Sequence, residues 1–156
     1  MSVEEAADRL ASSEFVRVVA HADADGVASA ACICSALTDA GVGYHFTALD
    51  DPGDVVNEGG DVFCDLGAQY LDGISDAVVI DHHPPRGELV DGVLLGTDEP
   101  SSTVAAHRVA SRISSGDPVA ALVGALGDGI PAEDVPDIVD EAVAAGVEAD
   151  EGARLV

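Results

Sequence analysis

The 156-residue chain contains no lysine and no tryptophan, and aromatic residues make up only 3% of it. Six arginines stand against 30 acidic residues, so the formal net charge is −24 at pH 7. Because nucleic-acid binding normally depends on lysine and arginine that neutralise phosphates, an ordinary basic nucleic-acid interface is excluded. Any phosphate ligand must be held by metal ions, helix N-termini or the few arginines.

The excess of acidic residues predicts a cytoplasmic protein of an extreme halophile. Repulsion among so many like charges destabilises a compact state in dilute buffer. At about 1 M salt the Debye length is only about 3 Å, so most of this repulsion is screened. An acidic surface that binds a basic partner is the alternative interpretation.

Long apolar runs and a disulfide framework are also missing. No apolar run reaches the roughly 18 residues of a membrane span, and the acidic start "MSVEEAADRL" does not resemble a secretion signal. Three cysteines, Cys32, Cys34 and Cys64, are an odd number and are interpreted as small buried apolar side chains. Since hydrophobic residues make up 47% of the chain, we expect one folded domain without a membrane span.

Short apolar runs alternate with helical segments along most of the chain. Strands are predicted at 16–20, 44–49, within 61–67 (ending in Asp65), within 77–85 (ending in Asp81) and at 92–96. Helices are predicted at 2–12, 26–40, 101–114, 117–129 and 134–145. Apolar strands that alternate with helices predict a three-layer α/β/α domain with a mostly parallel, about five-stranded sheet. We assign 1–146 to this domain and 147–156 to a tail or the start of a linker.

Histidines and aspartates follow the predicted strands at their carboxyl ends. These candidates are His21, Asp23, Asp25, Asp65, Asp81, His82 and His83. Ligands of parallel sheets bind beyond the carboxyl ends of the strands, so we expect all of these side chains on one rim. Carboxylates and imidazoles suit manganese, magnesium or zinc, and the absence of thiolates among them favours manganese over zinc.

Each part of this rim has a simpler interpretation when taken alone. With 20 aspartates in the chain, the D-x-D of "HADADG" is by itself an ordinary solvated turn. An EF-hand starting there is excluded because Ala28 and Cys34 stand where glycine and glutamate are required. The lack of lysine excludes a Walker loop and disfavours a haloacid dehalogenase. His45, within a strand, is interpreted as structural, and His107, within a helix, as structural or near the rim.

Four motifs resemble those of the DHH phosphoesterase superfamily, in the expected order and over nearly the whole chain. They are "HADADG", the aspartate of "VFCDLG", "VIDHHPP" and "ALVGALGDG". The compact H-x-D-x-D-G form is most similar to archaeal relatives of the RecJ single-strand exonucleases. Nothing after Asp128 resembles the glycine-rich C-terminal domain of these hydrolases, so we expect that domain to be absent from this chain.

The resemblance implies two divalent metal ions, with manganese favoured and magnesium or cobalt as alternatives. One ion would be held by His21, Asp23 and Asp65. The other would be held by Asp25, Asp65, His82 and Asp128, so that Asp65 bridges the pair. Two such ions activate water and neutralise phosphoryl charge during in-line attack.

The resemblance also assigns roles around the metals. Asp81 would orient the histidines, and His83 would contact the scissile phosphate. Arg86 is a candidate phosphate contact. Ser101 and Ser102 open a helix whose N-terminus could face an anionic ligand, although plain helix capping is the simpler interpretation.

The predicted activity is hydrolysis of phosphodiester bonds in single-stranded DNA or RNA by a metal-dependent exonuclease. A hydrolase of small nucleotides is the alternative enzyme, acting on oligoribonucleotides, cyclic dinucleotides or phosphoadenosine phosphate. A non-catalytic scaffold in a replication complex is the third possibility. The expected partners are the nucleic acid or nucleotide, a replication or repair protein, or a separate C-terminal domain.

Overall fold

The computed structural model describes residues 2–148. Its five strands are β1 (Phe15–His21), β2 (Gly43–Leu49), β3 (Val62–Cys64), β4 (Val78–Ile80) and β5 (Val93–Leu95). They form one sheet in the order β2-β1-β3-β4-β5, and every neighbouring pair is parallel. The predicted α/β fold with about five strands is confirmed, and the sheet is parallel throughout.

Residues 2–148 contain six α-helices. They are α1 (Val3–Ala11), α2 (Ala24–Asp39), α3 (Val55–Glu58), α4 (Ser102–Ile113), α5 (Pro118–Gly127) and α6 (Pro136–Ala144). Ser2 caps α1 by accepting a hydrogen bond from the Glu5 N–H, and Asp117 caps α5 by accepting one from the Ala120 N–H. Three short 3-10 turns cover Pro52–Asp54, Ala68–Gly73 and Ala132–Asp134.

The core lies on both faces of the sheet, which explains why the strands are apolar throughout. Val16 and Val18 of β1 point towards the large helical layer formed by α1, α2 and α4, with α5 and α6 packed outside it. Val19 points to the opposite face and packs with Phe63 in a smaller cluster under α3 and the 3-10 turn at Ala68–Gly73. The two helical layers are therefore unequal in thickness.

Strand β2 departs from the apolar pattern because it is an edge strand. Tyr44, His45 and Phe46 are all exposed, so His45 lies mid-strand as expected but outside the core. The ring of His107 is buried in α4, and its Nε2 lies 2.8 Å from Glu141 Oε2 of α6.

The element boundaries differ from the predictions mainly next to the rim. Strands β3 and β4 end immediately before Asp65 and Asp81, so both aspartates lie just beyond the paired backbone. Helix α2 begins two residues earlier than predicted, which makes Asp23 its N-cap and places Asp25 in its first turn. Val147 still packs against the core, and residues 149–156 of the predicted tail lie outside the described residues.

The three cysteines are free thiols. Cys32 and Cys64 are buried, as predicted, and Cys34 is partly buried. Burial raises the pKa of the Cys32 thiol to about 12 and that of the Cys34 thiol to about 11. Burial likewise raises the pKa of the Cys64 thiol well above its ordinary value, so none of the three is a reactive thiolate at neutral pH.

Across residues 2–148, no helix has the length and apolar character needed to cross a membrane.

Gly26 lets α2 start directly against the end of β1. A Cβ atom at this position would lie 2.3 Å from the backbone oxygen of His21. Replacing Gly26 by alanine is therefore expected to destabilise the fold by about 1–3 kcal/mol through overpacking. For a domain of this size that is a fall in melting temperature of roughly 2–12 °C, measurable by circular dichroism.

Gly53→Ala is the matched control for this prediction. The nearest atom to a Cβ at Gly53 is the carboxylate oxygen of Asp51, at 3.1 Å, and this flexible side chain can move aside. Equal melting temperatures for the two alanine variants would contradict the close approach at Gly26.

Candidate metal centre

The order of the strands creates a crevice at the carboxyl ends of β1 and β3. The chain runs from β1 outwards to β2 and then crosses back to β3 on the other side of β1. Such a reversal leaves a gap between the connections of the two central strands, which is where open parallel sheets bind ligands. His21 ends β1 and Asp65 follows β3, so both lie at this point.

The first group of candidate ligands consists of His21, Asp23 and Asp65. Their ligand atoms lie within 4.8 Å of one another. His21 Nδ1 is 2.7 Å from Asp23 Oδ2 and 3.5 Å from Asp65 Oδ2. Asp23 keeps one carboxylate oxygen on the Gly26 N–H, at 2.9 Å, so the turn into α2 fixes its direction.

The second group consists of Asp25, His82 and Asp128, again within 4.8 Å of one another. His82 Nε2 lies 3.8 Å from Asp128 Oδ2 and 3.6 Å from Asp65 Oδ1. Asp65 thus faces the first group with one oxygen and the second group with the other. The six side chains predicted as ligands all converge on this crevice.

Asp65 is the most perturbed carboxyl group of the crevice. Its side chain is only 3% exposed, and its pKa is raised to about 8 by burial and by the negative charge of Asp25. The pKa of Asp128 is also raised, first by burial and then by Asp25. The backbone of Asp65 has a φ of +58°, a conformation that aspartate and asparagine tolerate better than most residues.

The donor set fits a pair of divalent cations. Four carboxylates and three imidazoles, including that of His83, meet in a small volume without any thiolate. Within residues 2–148, the arginine side chains that form ion pairs do so with Asp76, Asp61, Glu99 and Glu4, none of which belongs to the crevice. Bound metal ions would therefore neutralise the negative charge of the crevice carboxylates, with which these arginines form no ion pair.

Asp81 fixes the orientation of one histidine rather than two. Its Oδ1 lies 2.8 Å from His83 Nδ1 and accepts a hydrogen bond from the His83 N–H at 3.0 Å. Its Oδ2 accepts one from the Ala68 N–H at 2.8 Å. The expectation that Asp81 orients both histidines is corrected here, because His82 is instead held through its backbone N–H, which donates to Ser102 Oγ.

The N-terminus of α4 faces the carboxylate of Asp25, rather than a bound anionic ligand or a local cap from its own serines. Asp25 occupies this helix end and accepts hydrogen bonds from the Ser102 N–H at 2.8 Å and the Thr103 N–H at 2.9 Å. Ser101 and Ser102 are fully buried, so neither contacts open solvent in the crevice. Ser101 makes no side-chain capping bond either, because Asp25 supplies the cap from a distant part of the chain.

Two adjoining cavities connect the crevice with Arg86. The first, about 130 Å³, is lined by His21, Asp65, Asp81 and His83 together with Pro52, Gln69 and Tyr70. The second, about 270 Å³, shares Gln69 and Tyr70 with the first and has Arg86 in its wall. Pro52, Gln69 and Tyr70 were not predicted, since they come from irregular segments without a motif.

Comparisons with known proteins support the fold. No protein-family model matches the chain, and no curated protein sequence matches it significantly. A crystal structure of RecJ in complex with Mn²⁺ from Thermus thermophilus superposes with a TM-score of 0.68, at 20% identity over 91% of this chain. A crystal structure of the exonuclease RecJ bound to manganese superposes with a TM-score of 0.66, at 19% identity over 92% of this chain.

These two structural neighbours of the chain are RecJ exonucleases. The likeness covers only 26% of the first RecJ chain and 48% of the second. At this level of identity it shows a shared fold, namely a five-stranded parallel sheet flanked by helices.

Proposed function

We propose that the chain is a metal-dependent phosphodiesterase that releases nucleotides from single-stranded nucleic acid. The observation that carries this proposal is the convergence of two ligand groups on one crevice with Asp65 shared between them. The RecJ neighbours, both crystallised with manganese, support the choice of nucleic acid as substrate and of manganese as metal.

His21, Asp23 and Asp65 would hold one ion, and Asp25, Asp65, His82 and Asp128 the other. When bound, two such ions supply an activated water at neutral pH and neutralise charge on the phosphoryl oxygens. The contribution of the chain is to hold these carboxylates close together before any ion arrives. The partial burial of the crevice strengthens every charge interaction within it.

His83 is proposed to bind the scissile phosphate. Its side chain is 43% exposed and lines the cavity beside Asp65. Its Nδ1 lies 2.8 Å from Asp81 Oδ1, which fixes the direction of the ring. The other ring nitrogen, Nε2, is the atom proposed to contact a phosphate oxygen.

Hydrolysis of small nucleotides is the second candidate activity. The cavity beside His83 measures only about 130 Å³, which is below the usual size of a site for a whole drug-sized ligand. Arg86 is the arginine that lines the adjoining cavity. A short substrate with one or two phosphates therefore fits the described residues at least as well as a long strand.

The deciding experiment is hydrolysis of a substrate panel by the purified chain, in molar KCl with manganese. The high salt screens the net charge of −24, which we take as adaptation to a halophile's cytoplasm. The panel contains labelled single-stranded DNA and RNA, duplex DNA, short oligoribonucleotides, a cyclic dinucleotide and phosphoadenosine phosphate. We expect mononucleotides from the single strands. Release from short substrates alone favours the second candidate, and no release from any of them contradicts both.

Arg86 provides a prediction about substrate binding. Replacing it by alanine is expected to raise KM about fivefold with little change in kcat, because an exposed charge pair contributes up to about 1 kcal/mol. Arg112→Ala is the control, since Arg112 pairs with Glu4 at the other end of α4. Equal KM values for the two variants would remove Arg86 from the substrate path.

A further inference from the structure

The first turn of α4 contacts three of the six proposed ligands at once. The Ser102 hydroxyl donates to Asp65 Oδ1 at 2.8 Å and accepts from the His82 N–H at 3.1 Å. The Ser102 N–H donates to Asp25 Oδ2, and the Thr103 N–H and hydroxyl both contact Asp25 Oδ1. Ser102 and Thr103 are fully buried, and Asp25 is 2% exposed. These contacts belong to the interior of the centre.

We propose that Ser102 and Thr103 are positioning residues of this centre, an inference that rests on the proposed metal-dependent function. They hold the carboxylates of Asp25 and Asp65 in the directions that face the crevice before any ion is bound. The amides and the positive end of the α4 dipole stabilise the negative charge on Asp25. This stabilisation offsets part of the repulsion among the converging aspartates.

Ser102 also fixes the plane of the Asp65 carboxylate, so that one oxygen faces each group of ligands. Its single proton is donated to Oδ1, the oxygen that lies 3.6 Å from His82 Nε2. Oδ2 is left facing His21 Nδ1 at 3.5 Å. A partial rotation of the carboxylate would break the bond to Ser102, so the hydroxyl keeps one oxygen directed at each of the two groups.

Thr103 also packs against α5, the helix that contains the motif "ALVGALGDG". Its hydroxyl lies 3.1 Å from Ser29 Oγ of α2. A Cβ atom at Gly124 of α5 would be only 2.2 Å from that hydroxyl. The glycine therefore allows α5 to pack directly on Thr103, and α5 ends at Asp128, a proposed ligand. Thr103 thus helps to set the position of α5 as well as that of Asp25.

Plain helix capping does not explain this arrangement. The N-cap residue is Ser101, and its hydroxyl is buried without a hydrogen-bond partner. The capping carboxylate comes from Asp25, 77 residues before Ser102. The bonds therefore join two separate elements at the crevice rather than close one helix end locally.

The test compares Ser102→Ala with Ser101→Ala. Both remove a fully buried hydroxyl from the same helix end, but only the Ser102 hydroxyl has partners in the centre. We expect Ser102→Ala to weaken Mn²⁺ binding, measured by calorimetry, by roughly 10- to 100-fold and to lower kcat by a similar factor. Ser101→Ala is expected to match the wild type in both.

A second pair of variants separates the effect of the Thr103 hydroxyl from the effect of the side chain's shape. Thr103→Val keeps the shape and is expected to lose Mn²⁺ affinity, whereas Thr103→Ser keeps the hydroxyl and is expected to restore it. Electron paramagnetic resonance of bound Mn²⁺ gives a further readout, since displaced carboxylates alter the coupling between two ions. A merely structural role would lower the melting temperature in chelator without changing this spectrum.

The outcomes separate this inference from the proposed function. If the wild type hydrolyses the panel and all four variants bind Mn²⁺ equally well, the positioning role is overturned and the function stands. If the wild type hydrolyses nothing but Ser102→Ala still weakens Mn²⁺ binding, the function fails and the positioning role stands. A wild-type chain that binds no Mn²⁺ overturns both.

Discussion

Replacing Asp65 by asparagine is expected to lower kcat by about 1,000-fold or more while leaving the fold intact. Asparagine offers one neutral acceptor in place of two charged oxygens, so the shared ligand between the two groups is lost. Loss of several kcal/mol of charge stabilisation corresponds to a rate change of this size. Asparagine also suits the backbone φ of +58° at this position. Single-turnover hydrolysis of a labelled single strand measures the effect.

The same substitution is expected to stabilise the metal-free chain at high pH. The carboxyl pKa of Asp65 is raised to about 8. The folded state therefore favours the protonated form of the Asp65 carboxyl group. Its contribution to the free energy of unfolding is lost as the pH rises from the ordinary pKa of aspartate through about 8. In chelator, Asp65→Asn should melt higher than the wild type at pH 9. The difference should shrink at acidic pH.

Asp61→Asn is the matched control for both effects. Asp61 precedes β3 as Asp65 follows it, but its carboxylate pairs with Arg17 at 2.9 Å. This pairing lowers the pKa of Asp61, so its loss should slightly destabilise the fold and leave hydrolysis unchanged. Activity of Asp65→Asn within tenfold of wild type would rule out a shared-ligand role for Asp65.

Manganese is expected to raise the melting temperature of the wild type substantially. An ion at about 100 times its dissociation constant stabilises the folded state by about 2.7 kcal/mol per site. For a domain of this size that corresponds to roughly 5–11 °C. The structural reason is the convergence of Asp23, Asp25, Asp65 and Asp128, none of which pairs with an arginine among residues 2–148.

Differential scanning calorimetry at constant molar KCl measures this shift. Constant ionic strength ensures that manganese does not act merely by screening the net charge of −24. The shift should be much smaller in Asp65→Asn. Identical melting curves with chelator and with manganese would argue that the crevice binds no metal.

The sequence predicted that the crevice side chains lie on one rim, because the end of each strand can be recognised from the residues around it. Apolar runs that stop at Asp65 and Asp81 indicate where each strand ends, and parallel packing brings those ends together. The strand order then decides which ends are neighbours, and nothing local in the sequence encodes that order. For the same reason the exposed edge position of β2, with His45 on it, was not predicted.

The role of Asp25 shows what local patterns leave out. Its place after Asp23 indicates a ligand in a turn, but the carboxylate lies in the first turn of α2 and caps α4. Ser101 and Ser102 are chemically identical in the sequence, yet only Ser102 bonds to ligands. Contacts across 77 residues depend on how two helices pack, and that packing is set by the whole core.

The bond between Asp25 and the start of α4 has a consequence for the order of folding. The six proposed ligands are spread from His21 to Asp128, so a chain emerging from the ribosome cannot complete the centre until α5 has been made. Closing contacts this far apart is slow compared with forming helices and local turns. Under the proposed function, metal capture would then be a late event, because a partly folded chain lacks this arrangement of side chains. Binding of manganese would therefore report that the chain has folded through α5.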